Sequence, residues 1–343
     1  MNRREFMLSA AAVATVAGTM GLGARSNGAH AETSSPRPQT AGEYSVTYFD
    51  AKPGARSRDV AFHTDGSVWY CGQRDGTLTR LDPDSGSLDP VPLGDSSAPH
   101  GVVLGPDNAF WITDGGQNAI VRLDPADKSI SRFPLPEEFS RANLNTGVFD
   151  HNGIYWFTGQ NGVLGRVDPR MEKLDAWAAP GGRGPYGITV TPDNNVWYVS
   201  LAGNHLGVID RETFEVTRFD PPTANAGPRR VWSDSNGVLW ISEWNSGNVS
   251  RFDPATAQWK TWKLPGDAPR CYSVYVDERN KVWTTDFGAN AIVMFDPTSE
   301  QFTSFPSTMP NANVRQMAGR RGEAWGGESG TDRLVRIRFP VIT

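Results

Sequence analysis

The sequence predicts an all-β protein, a single seven-bladed β-propeller with four-stranded blades. Three observations support this fold class. A Trp recurs seven times at spacings of 41 to 45 residues, six of the short strands that follow end in Asp, and no long helical period intervenes. The chain has 343 residues, which is enough for one large domain.

The recurrent tryptophans mark the second strand of each repeat. Each follows a turn such as Gly105-Pro106-Asp107-Asn108 and precedes a short apolar strand. Four short strands in a repeat of this length are typical of a propeller blade. We expect these indoles to fill the core between blades. They are Trp69, Trp111, Trp156, Trp197, Trp240, Trp283 and Trp325.

The two ends of the repeat array predict how the ring closes. The seventh unit, from Val314 to Pro340, has only three strands, and a fourth precedes the first unit at Glu43 to Phe49. The N-terminal strand therefore completes the last blade and removes an exposed sheet edge. This places the propeller at residues 43–343.

The N-terminal segment has the pattern of a targeting signal. Arg3-Arg4, a weakly apolar run and Ala29-His30-Ala31 indicate a twin-arginine signal peptide over residues 1–31. A mobile leader is predicted for residues 32–42, which are rich in Ser, Pro and Thr. We therefore expect a periplasmic or secreted monomer that has no membrane span after signal cleavage.

Composition narrows the class of partner. A net charge of −5 argues against a nucleic-acid-binding protein. The two cysteines, Cys71 and Cys271, fall in blades one and six and are expected to be free thiols. We expect a small anionic or ester molecule as the partner, and a protein partner in the cell envelope stays an alternative.

Propeller topology predicts which side chains share a site. In each blade the start of the first strand and the end of the second face the same central funnel. The start positions are Arg58, His100, Thr146, Tyr186, Arg229, Arg270 and Arg315. The end positions are Gly72, Asp114, Gly159, Ser200, Glu243, Asp286 and Glu328. Several cations are therefore expected around the pore of an acidic protein.

Two interpretations of these charges stay open. The arginines and carboxylates could neutralise each other as structure. Alternatively, they form a site in which the arginines bind a carboxylate or phosphate and the acids hold Mg²⁺ or Ca²⁺. The substrate-binding candidates are Arg58, Arg229, Arg270 and Arg315, and the metal candidates are Glu243, Asp286 and Glu328. The candidate proton carriers are His100, Tyr186 and Tyr272. No organic cofactor motif is present.

The repeat resembles that of a known family. Pro99-His100-Gly101-Val102 followed by Trp111-Ile112-Thr113-Asp114, and Trp240-Ile241-Ser242-Glu243-Trp244 in a later unit, are similar to the virginiamycin B lyase (streptogramin lyase) repeat. The resemblance covers essentially the whole chain after the leader. It implies a seven-bladed propeller that opens cyclic type B streptogramins by elimination, with magnesium.

The site implied by the resemblance is only partly present. It places a Pro-His at the start of blade six, a Glu-Pro-His at the start of blade seven and a Glu after the last repeat Trp. The chain has Pro269-Arg270 and Asn313-Val314-Arg315 at the first two positions, and Glu328 matches the third. We therefore expect a lyase with a changed site that acts on a small anionic or cyclic ester substrate. The alternatives are a non-catalytic binding propeller of the cell envelope and a metal-dependent lactonase-like hydrolase.

Overall fold

A computed structural model describes residues 39–41 and 43–341 of the chain. The predicted signal peptide and all but three residues of the predicted leader lie outside these ranges. The described part confirms an all-β propeller of seven blades. No helix in this part is long and apolar enough to cross a membrane.

Blades one to four follow one another along the chain, each running from its innermost to its outermost strand. Blade one comprises β3 (Ser57–Phe62), β4 (Val68–Gly72), β5 (Thr77–Leu81) and β6 (Leu88–Pro92). Blade two comprises β7 (Pro99–Leu104), β8 (Phe110–Asp114), β9 (Ala119–Leu123) and β10 (Ile130–Pro134), followed by a 3₁₀ helix (Glu137–Phe139). Blade three comprises β11 (Leu144–Phe149), β12 (Tyr155–Gly159), β13 (Val163–Asp168) and β14 (Lys173–Ala178). Blade four comprises β15 (Pro185–Val190), β16 (Val196–Ser200), β17 (His205–Ile209) and β18 (Val216–Phe219).

Blades five to seven complete the ring. Blade five comprises β19 (Pro228–Ser233), β20 (Leu239–Glu243), β21 (Asn248–Asp253) and β22 (Gln258–Lys263). Blade six comprises β23 (Cys271–Val276), β24 (Val282–Asp286), β25 (Ala291–Asp296) and β26 (Gln301–Pro306). Blade seven comprises β27 (Val314–Arg320), β28 (Glu323–Glu328) and β29 (Arg333–Arg338), then β2 (Tyr44–Asp50) and β1 (Gln39–Ala41) from the N-terminal side.

The N-terminal strand closes the ring as predicted. Strand β2 pairs antiparallel with β29, with Phe49 opposite Leu334, and β1 adds a fifth strand outside β2. The seven innermost strands contact their neighbours in a closed circle, from blade one round to blade seven and back. The innermost strands therefore surround a central axis, which positions their first residues around one opening.

The repeat tryptophans form the core, as predicted. All seven are at most 4% exposed. Five indoles donate to a carboxylate in or next to the turn between the first two strands, as Trp156 does to Asp150 and Trp283 to Asp277. Burying an indole favours giving its N–H an acceptor, which explains why an acid precedes the Trp in the repeat. The cysteines Cys71 and Cys271 are buried and free, also as predicted.

Every blade has the same irregularity at the start of its innermost strand. Strand pairing with the second strand is interrupted in all seven blades, for example between Ser57 and Val60 and between Cys271 and Val274. Such bulges redirect side chains at the rims of sheets. Here they turn seven consecutive strand starts toward the axis.

Candidate functional site: an arginine–tyrosine cluster

The strand pairing defines which residues stand at equivalent positions in the funnel. In each blade, one residue near the start of the first strand pairs with the last residue of the second strand. The next residue of the first strand occupies what we call the funnel position. These funnel positions are Arg58, His100, Asn145, Tyr186, Arg229, Tyr272 and Arg315. The sequence-based register is therefore wrong in blades three and six.

The difference in blade six changes the chemistry of the site. Cys271 pairs with Asp286, so Tyr272 occupies the funnel position. Arg270 precedes the strand, is exposed and accepts a bond from the Phe287 amide through its carbonyl. Gly227 makes the same backbone contact with Trp244 in blade five, which shows that Arg270 matches Gly227 rather than Arg229. In blade three, Asn145 takes the position assigned to Thr146.

The predicted metal ligands each accept several hydrogen bonds from residues close to the end of their own second strand. Glu243 accepts from the Ser246 hydroxyl at 2.6 Å, from Asn248 at 3.1 Å and from Ser250. Asp286 accepts from the backbone amides of Arg270 and Gly288, both at 2.8 Å. These bonds hold the two carboxylates in their own blades.

Glu328 has the same kind of environment in blade seven. It forms an ion pair with Arg333 and accepts from the hydroxyls of Ser307 and Thr331 at 2.7 and 2.8 Å. Within residues 43–341, no three His, Cys, Asp or Glu side chains form a cluster that could hold a metal ion. The donor set predicted for Mg²⁺ or Ca²⁺ therefore does not fit a metal site, and no chemical step is derived through one.

The centre of the funnel holds two hydrogen-bonded tyrosines beneath an arginine. The phenol oxygens of Tyr186 and Tyr272 lie 2.6 Å apart. Arg229 donates to the Tyr186 oxygen at 2.9 Å, and its guanidinium lies 3.8 Å from the centre of the Tyr272 ring. Arg315 donates to the Tyr272 oxygen at 3.4 Å. Since Tyr186 accepts from Arg229, its own O–H is free to donate to Tyr272.

Two aromatic residues that the sequence analysis missed complete this layer. Trp244 and Phe287 directly follow the second strands of blades five and six, one residue beyond Glu243 and Asp286. Phe287 stacks on Tyr272 with ring centres 4.7 Å apart, and Trp244 packs edge-on against both. Arg270 lies 5.6 Å from the Trp244 ring. The sequence contains a pattern that could have identified them: in two adjacent blades an aromatic residue directly follows the acid at the end of the second strand.

Below this layer lies a second set of contacts that spans the ring. Arg230 of blade five pairs with Asp59 of blade one at 3.1 Å and donates to Thr146 of blade three at 2.6 Å. Arg58 contacts His100 and donates to Gln73 at 3.3 Å. Asp59 and Arg230 each directly follow a residue predicted from the sequence, but the sequence analysis did not include them.

The cluster carries more positive than negative charge. In the described part of the chain, none of Arg58, Arg229 and Arg315 forms an ion pair, and Arg230 has only Asp59. The buried Nε atoms of Arg58, Arg229 and Arg230 and the Nδ1 atom of His100 have no hydrogen-bond partner. Pairing of funnel arginines with carboxylates of their own blades is therefore absent among the described residues. Buried charges need partners, which favours an anion here.

The excess of positive charge shifts the ionisation of the two tyrosines in opposite directions. Burial opposes ionisation of Tyr272, but Arg229, Arg58, Arg230 and Arg315 outweigh it and lower its pKa to about 7. Burial, together with the neighbouring Tyr272, raises the pKa of Tyr186. Burial and the nearby arginines hold the pKa of His100 well below its usual range. At neutral pH, Tyr272 is thus the group best able to accept a proton.

The cluster is layered by exposure. Arg56, Arg229, Arg315, Trp244 and Phe287 are half-buried, and Arg270 is exposed. Tyr186, Tyr272, His100, Arg58 and Arg230 lie beneath and are at most 6% exposed. An incoming anion meets the outer arginines and aromatic rings first. The arrangement can therefore bind a carboxylate at the surface and present a phenolate just below it.

The fold and this cluster define a seven-bladed propeller with an arginine-rich, aromatic funnel. Comparison with known proteins adds the family. The model of the virginiamycin B lyase family matches residues 29–270, more than half of the chain, and the chain therefore belongs to that family. The matched region ends before blades six and seven.

Individual relatives are more distant. A virginiamycin B lyase of Nocardia farcinica is 23% identical over 191 residues, which cover 55% of this chain and 63% of the relative. A gluconolactonase of Zymomonas mobilis is 28% identical over 138 residues, covering 34% of this chain and 37% of the relative. The chain thus spans less than two thirds of the length of each curated relative.

The structural comparison supports the same fold. The crystal structure of virginiamycin B lyase from Staphylococcus aureus superimposes with a TM-score of 0.80 at 20% identity, covering 87% of this chain and all of that one. At this identity the likeness shows the seven-bladed architecture. Activity and substrate are separate questions that depend on the site.

Proposed function

We propose that this protein is a lyase that removes a proton beside the carboxylate or ester carbonyl of a small anionic or cyclic ester substrate and expels an oxygen from the neighbouring carbon. The observation that carries the proposal is the Tyr272 phenol, which lies among several arginines that lack carboxylate partners. Family membership supports the reaction class, since the curated relative from Nocardia is a virginiamycin B lyase.

The register supports Tyr272 as the base. The family resemblance places a Pro-His at the start of blade six. In this chain Cys271 pairs with Asp286, so the funnel residue of that blade is Tyr272 and not Arg270. The Tyr272 phenol, with a pKa of about 7, is partly ionised at neutral pH and can then accept a proton. Blade six therefore offers a proton acceptor to the funnel, although Arg270 holds the place of the family histidine in the sequence comparison.

In the proposed step, one tyrosine accepts a proton from the substrate and the other donates a proton to the leaving group. The Tyr272 phenolate takes the proton from the carbon next to the carbonyl group, and the electron pair forms the new carbon–carbon double bond as the carbon–oxygen bond breaks. Tyr186, whose pKa is raised, gives its proton to the departing oxygen. The arginines stabilise the negative charge that develops on the carboxylate or carbonyl oxygens.

Access to the base requires the outer layer to move. Tyr272 is 1% exposed, and Arg315 and Phe287 lie over it. A substrate carboxylate that pairs with Arg315 would draw this half-buried guanidinium away from the phenol oxygen. Arg229, Arg58 and Arg270 complete the proposed anion-binding set.

The same burial favours a second candidate function. A propeller that binds an anionic ligand through its outer arginines without turnover needs no access to Tyr272. A metal-dependent lactonase has the partial gluconolactonase match in its favour, but no cluster of carboxylates in residues 43–341 supports it.

Export by the twin-arginine route is also proposed, on the pattern of residues 1–31.

The test is a turnover assay on the purified chain. We would incubate it with uronate-containing oligosaccharides, aliphatic lactones and a type B streptogramin, and follow the ultraviolet absorbance of the new double bond. Product formation that disappears in Tyr272→Phe supports the lyase. Binding of a uronate without any product supports the non-catalytic propeller. Acid release from a lactone without a new double bond, abolished by a chelator, supports the lactonase.

A further inference from the structure

The positive charge of the funnel lies on one side of the ring. Arg229, Arg315 and Arg58 occupy the funnel positions of blades five, seven and one. The innermost strands of blades five, six, seven and one contact one another in that order, which makes these blades a continuous crescent. At the funnel positions of blades two to four the chain has a histidine, an asparagine and a tyrosine instead. A ligand with several negative charges would therefore lie along the crescent.

Two further arginines extend the crescent in blade one. Arg56 directly precedes the first strand of this blade, and the Arg74 amide donates to the neighbouring Ala55 carbonyl at 2.9 Å. Arg56 stands where Gly227 stands in blade five, and its φ of +57° is close to the +68° of that glycine. A bulky side chain is strained in this backbone region, which marks Arg56 as a candidate for a functional role.

These two arginines have charge to spare. Arg56 is half-buried and Arg74 exposed, and neither forms an ion pair within residues 43–341. Asp75, which follows Arg74, pairs with Lys52 at 2.9 Å. Both carboxylate oxygens of Asp332 accept from backbone amides, at 2.7 and 2.8 Å. The acids nearest to them in blades one and seven are thus engaged by other donors.

Like charges surround the guanidinium of Arg56. Burial lowers its pKa, and the neighbouring charges of Arg315, Arg58 and Arg74 lower it further. Cations that lie close together destabilise one another, and an anion between them removes this repulsion. The blade-one arginines therefore offer a place for a negative group.

The arginines of the crescent form two groups. The inner subsite is Arg229 with Arg315, which flank Tyr272 and lie against its aromatic cover. The outer subsite is Arg56 with Arg74, on the loops before the first and after the second strand of blade one. Arg315 of blade seven lies between the two groups. Two carboxylates carried by one molecule match this arrangement better than a single carboxylate does.

The chemistry of the proposed lyase narrows the class of dianion. The reaction needs a carboxylate, a proton on the adjacent carbon and an oxygen on the next carbon. A 4-linked sugar acid has this arrangement, because its glycosidic oxygen lies on the carbon beside the one that carries the acidic proton. The sugar that is joined through this oxygen brings the second carboxylate. We propose that the ligand is an oligouronate with one carboxylate in the inner subsite and that of a neighbouring sugar in the outer subsite.

Calorimetric titration with defined uronates tests this inference, which rests on the proposed function. The probes are D-galacturonate, D-glucuronate, the 4-linked dimer of each and the dimethyl esters of the dimers. At least one dimer should bind about tenfold more tightly than its monomer, because it gains charge-assisted contacts in the outer subsite. The dimethyl ester should lose this gain. Dimers that bind no better than monomers, or esters that bind as tightly as the acids, would overturn the proposal.

Variants of the outer subsite locate the second carboxylate. The double variant Arg56→Gln with Arg74→Gln should weaken dimer binding about tenfold and monomer binding less than twofold. Arg183→Gln is the control, since Arg183 is exposed on the same face, two residues before the first strand of blade four. It should leave both affinities unchanged. Unchanged dimer binding in the double variant, or equal losses for monomer and dimer, contradicts the assignment.

The same titrations in Tyr272→Phe separate this inference from the lyase mechanism. This variant lacks the proposed base, so the preference for a dimer is measured there without turnover. A preserved preference in a protein that forms no product supports the outer subsite and removes only the elimination step. Turnover of a uronate monomer or a cyclic ester, with no preference for a dimer, supports the lyase and overturns the outer subsite.

Discussion

The funnel end of the propeller carries two sets of charged side chains that differ in how they are satisfied. The carboxylates Glu243, Asp286 and Glu328 end the second strands, and each accepts several hydrogen bonds within its own loop region. Arg229 and Arg315 lie on the first strands, each directly after the residue that pairs with Glu243 or Glu328. Neither arginine forms an ion pair in the described part of the chain. The acids at the ends of the second strands are thus satisfied within the protein, whereas the arginines on the adjacent first strands have no ion-pair partner.

The difference shows that charge alone does not identify a site. A buried carboxylate that accepts bonds from adjacent hydroxyls and amides stabilises a loop and has little capacity left for a ligand. A half-buried arginine that forms no ion pair, such as Arg229 or Arg315, keeps its charge available for a ligand. The funnel bulges contribute to this contrast, because they turn the first-strand residues to the axis while the acids stay at the ends of the second strands.

The largest effect is expected at the proposed base. Tyr272→Phe removes the proton acceptor and should lower the elimination rate about 10²- to 10⁴-fold. Tyr155→Phe is the matched control, since its buried hydroxyl has no partner and lies outside the cluster. A stopped assay of both variants on the same substrate measures the effect. Unchanged turnover in Tyr272→Phe would remove this residue from the mechanism.

Loss of the Arg230–Asp59 ion pair should lower the free energy of unfolding more than substitution of any single arginine above it. Arg230→Met leaves the Asp59 carboxylate buried without its cation, which should reduce the free energy of unfolding by about 3–5 kcal/mol. Urea denaturation gives this value. The double variant Asp59→Asn with Arg230→Met should recover part of the loss, and no recovery would show that the pair is not the cause.

A carboxylate variant tests the structural half of the comparison. Glu243→Gln should lower the free energy of unfolding by about 1–3 kcal/mol, because Ser246, Asn248 and Ser250 lose a charged acceptor. The affinity for D-glucuronate should change less than twofold in titration calorimetry. A large loss of affinity would place Glu243 in the binding site.

The corresponding arginine variant should show the reverse pattern. Arg229→Gln should weaken D-glucuronate binding about tenfold, the loss of one charge-assisted contact. The free energy of unfolding should change by less than about 1 kcal/mol, since Arg229 has no carboxylate partner to leave unpaired. Equal effects of the two variants on affinity and stability would erase the distinction between the sets.

The stability of the protein should also depend on pH through Tyr272. Its folded-state pKa of about 7 lies below the value near 10 of an unfolded chain, so the unfolded state binds an extra proton between these values. This group therefore stabilises the fold increasingly from pH 7 to 10, and the contribution is lost as the pH falls through 7. Urea midpoints of wild type and Tyr272→Phe across this range should diverge with rising pH.

The fold was predictable because one repeat occurs seven times. The tryptophan spacing and the incomplete last unit predicted the blade number and closure by a strand at residues 43–49. The structure confirms both, with the strand at Tyr44–Asp50. The site was predictable only where the register was unambiguous, as at Arg58, Tyr186 and Arg229. In blade six the Pro269-Arg270 dipeptide imitates Pro228-Arg229, but pairing of Cys271 with Asp286 moves the funnel position to Tyr272.

Other parts of the site depend on contacts that no local pattern contains. Arg230 and Asp59 are 171 residues apart and meet only because opposite blades face one axis. Bulges also rotate the residue after each funnel position inward, which strict alternation along a strand does not predict. The aromatic cover of Trp244 and Phe287 arises because two adjacent blades contribute equivalent loops.

The most direct test of the account is a spectrophotometric titration of tyrosine ionisation. One of the eight tyrosines should ionise near pH 7, and this step should be absent from Tyr272→Phe and displaced upward in Arg229→Gln. Ionisation of all tyrosines above about pH 9 in the folded wild type would show that the arginines do not stabilise a phenolate, and the proposed base would be lost.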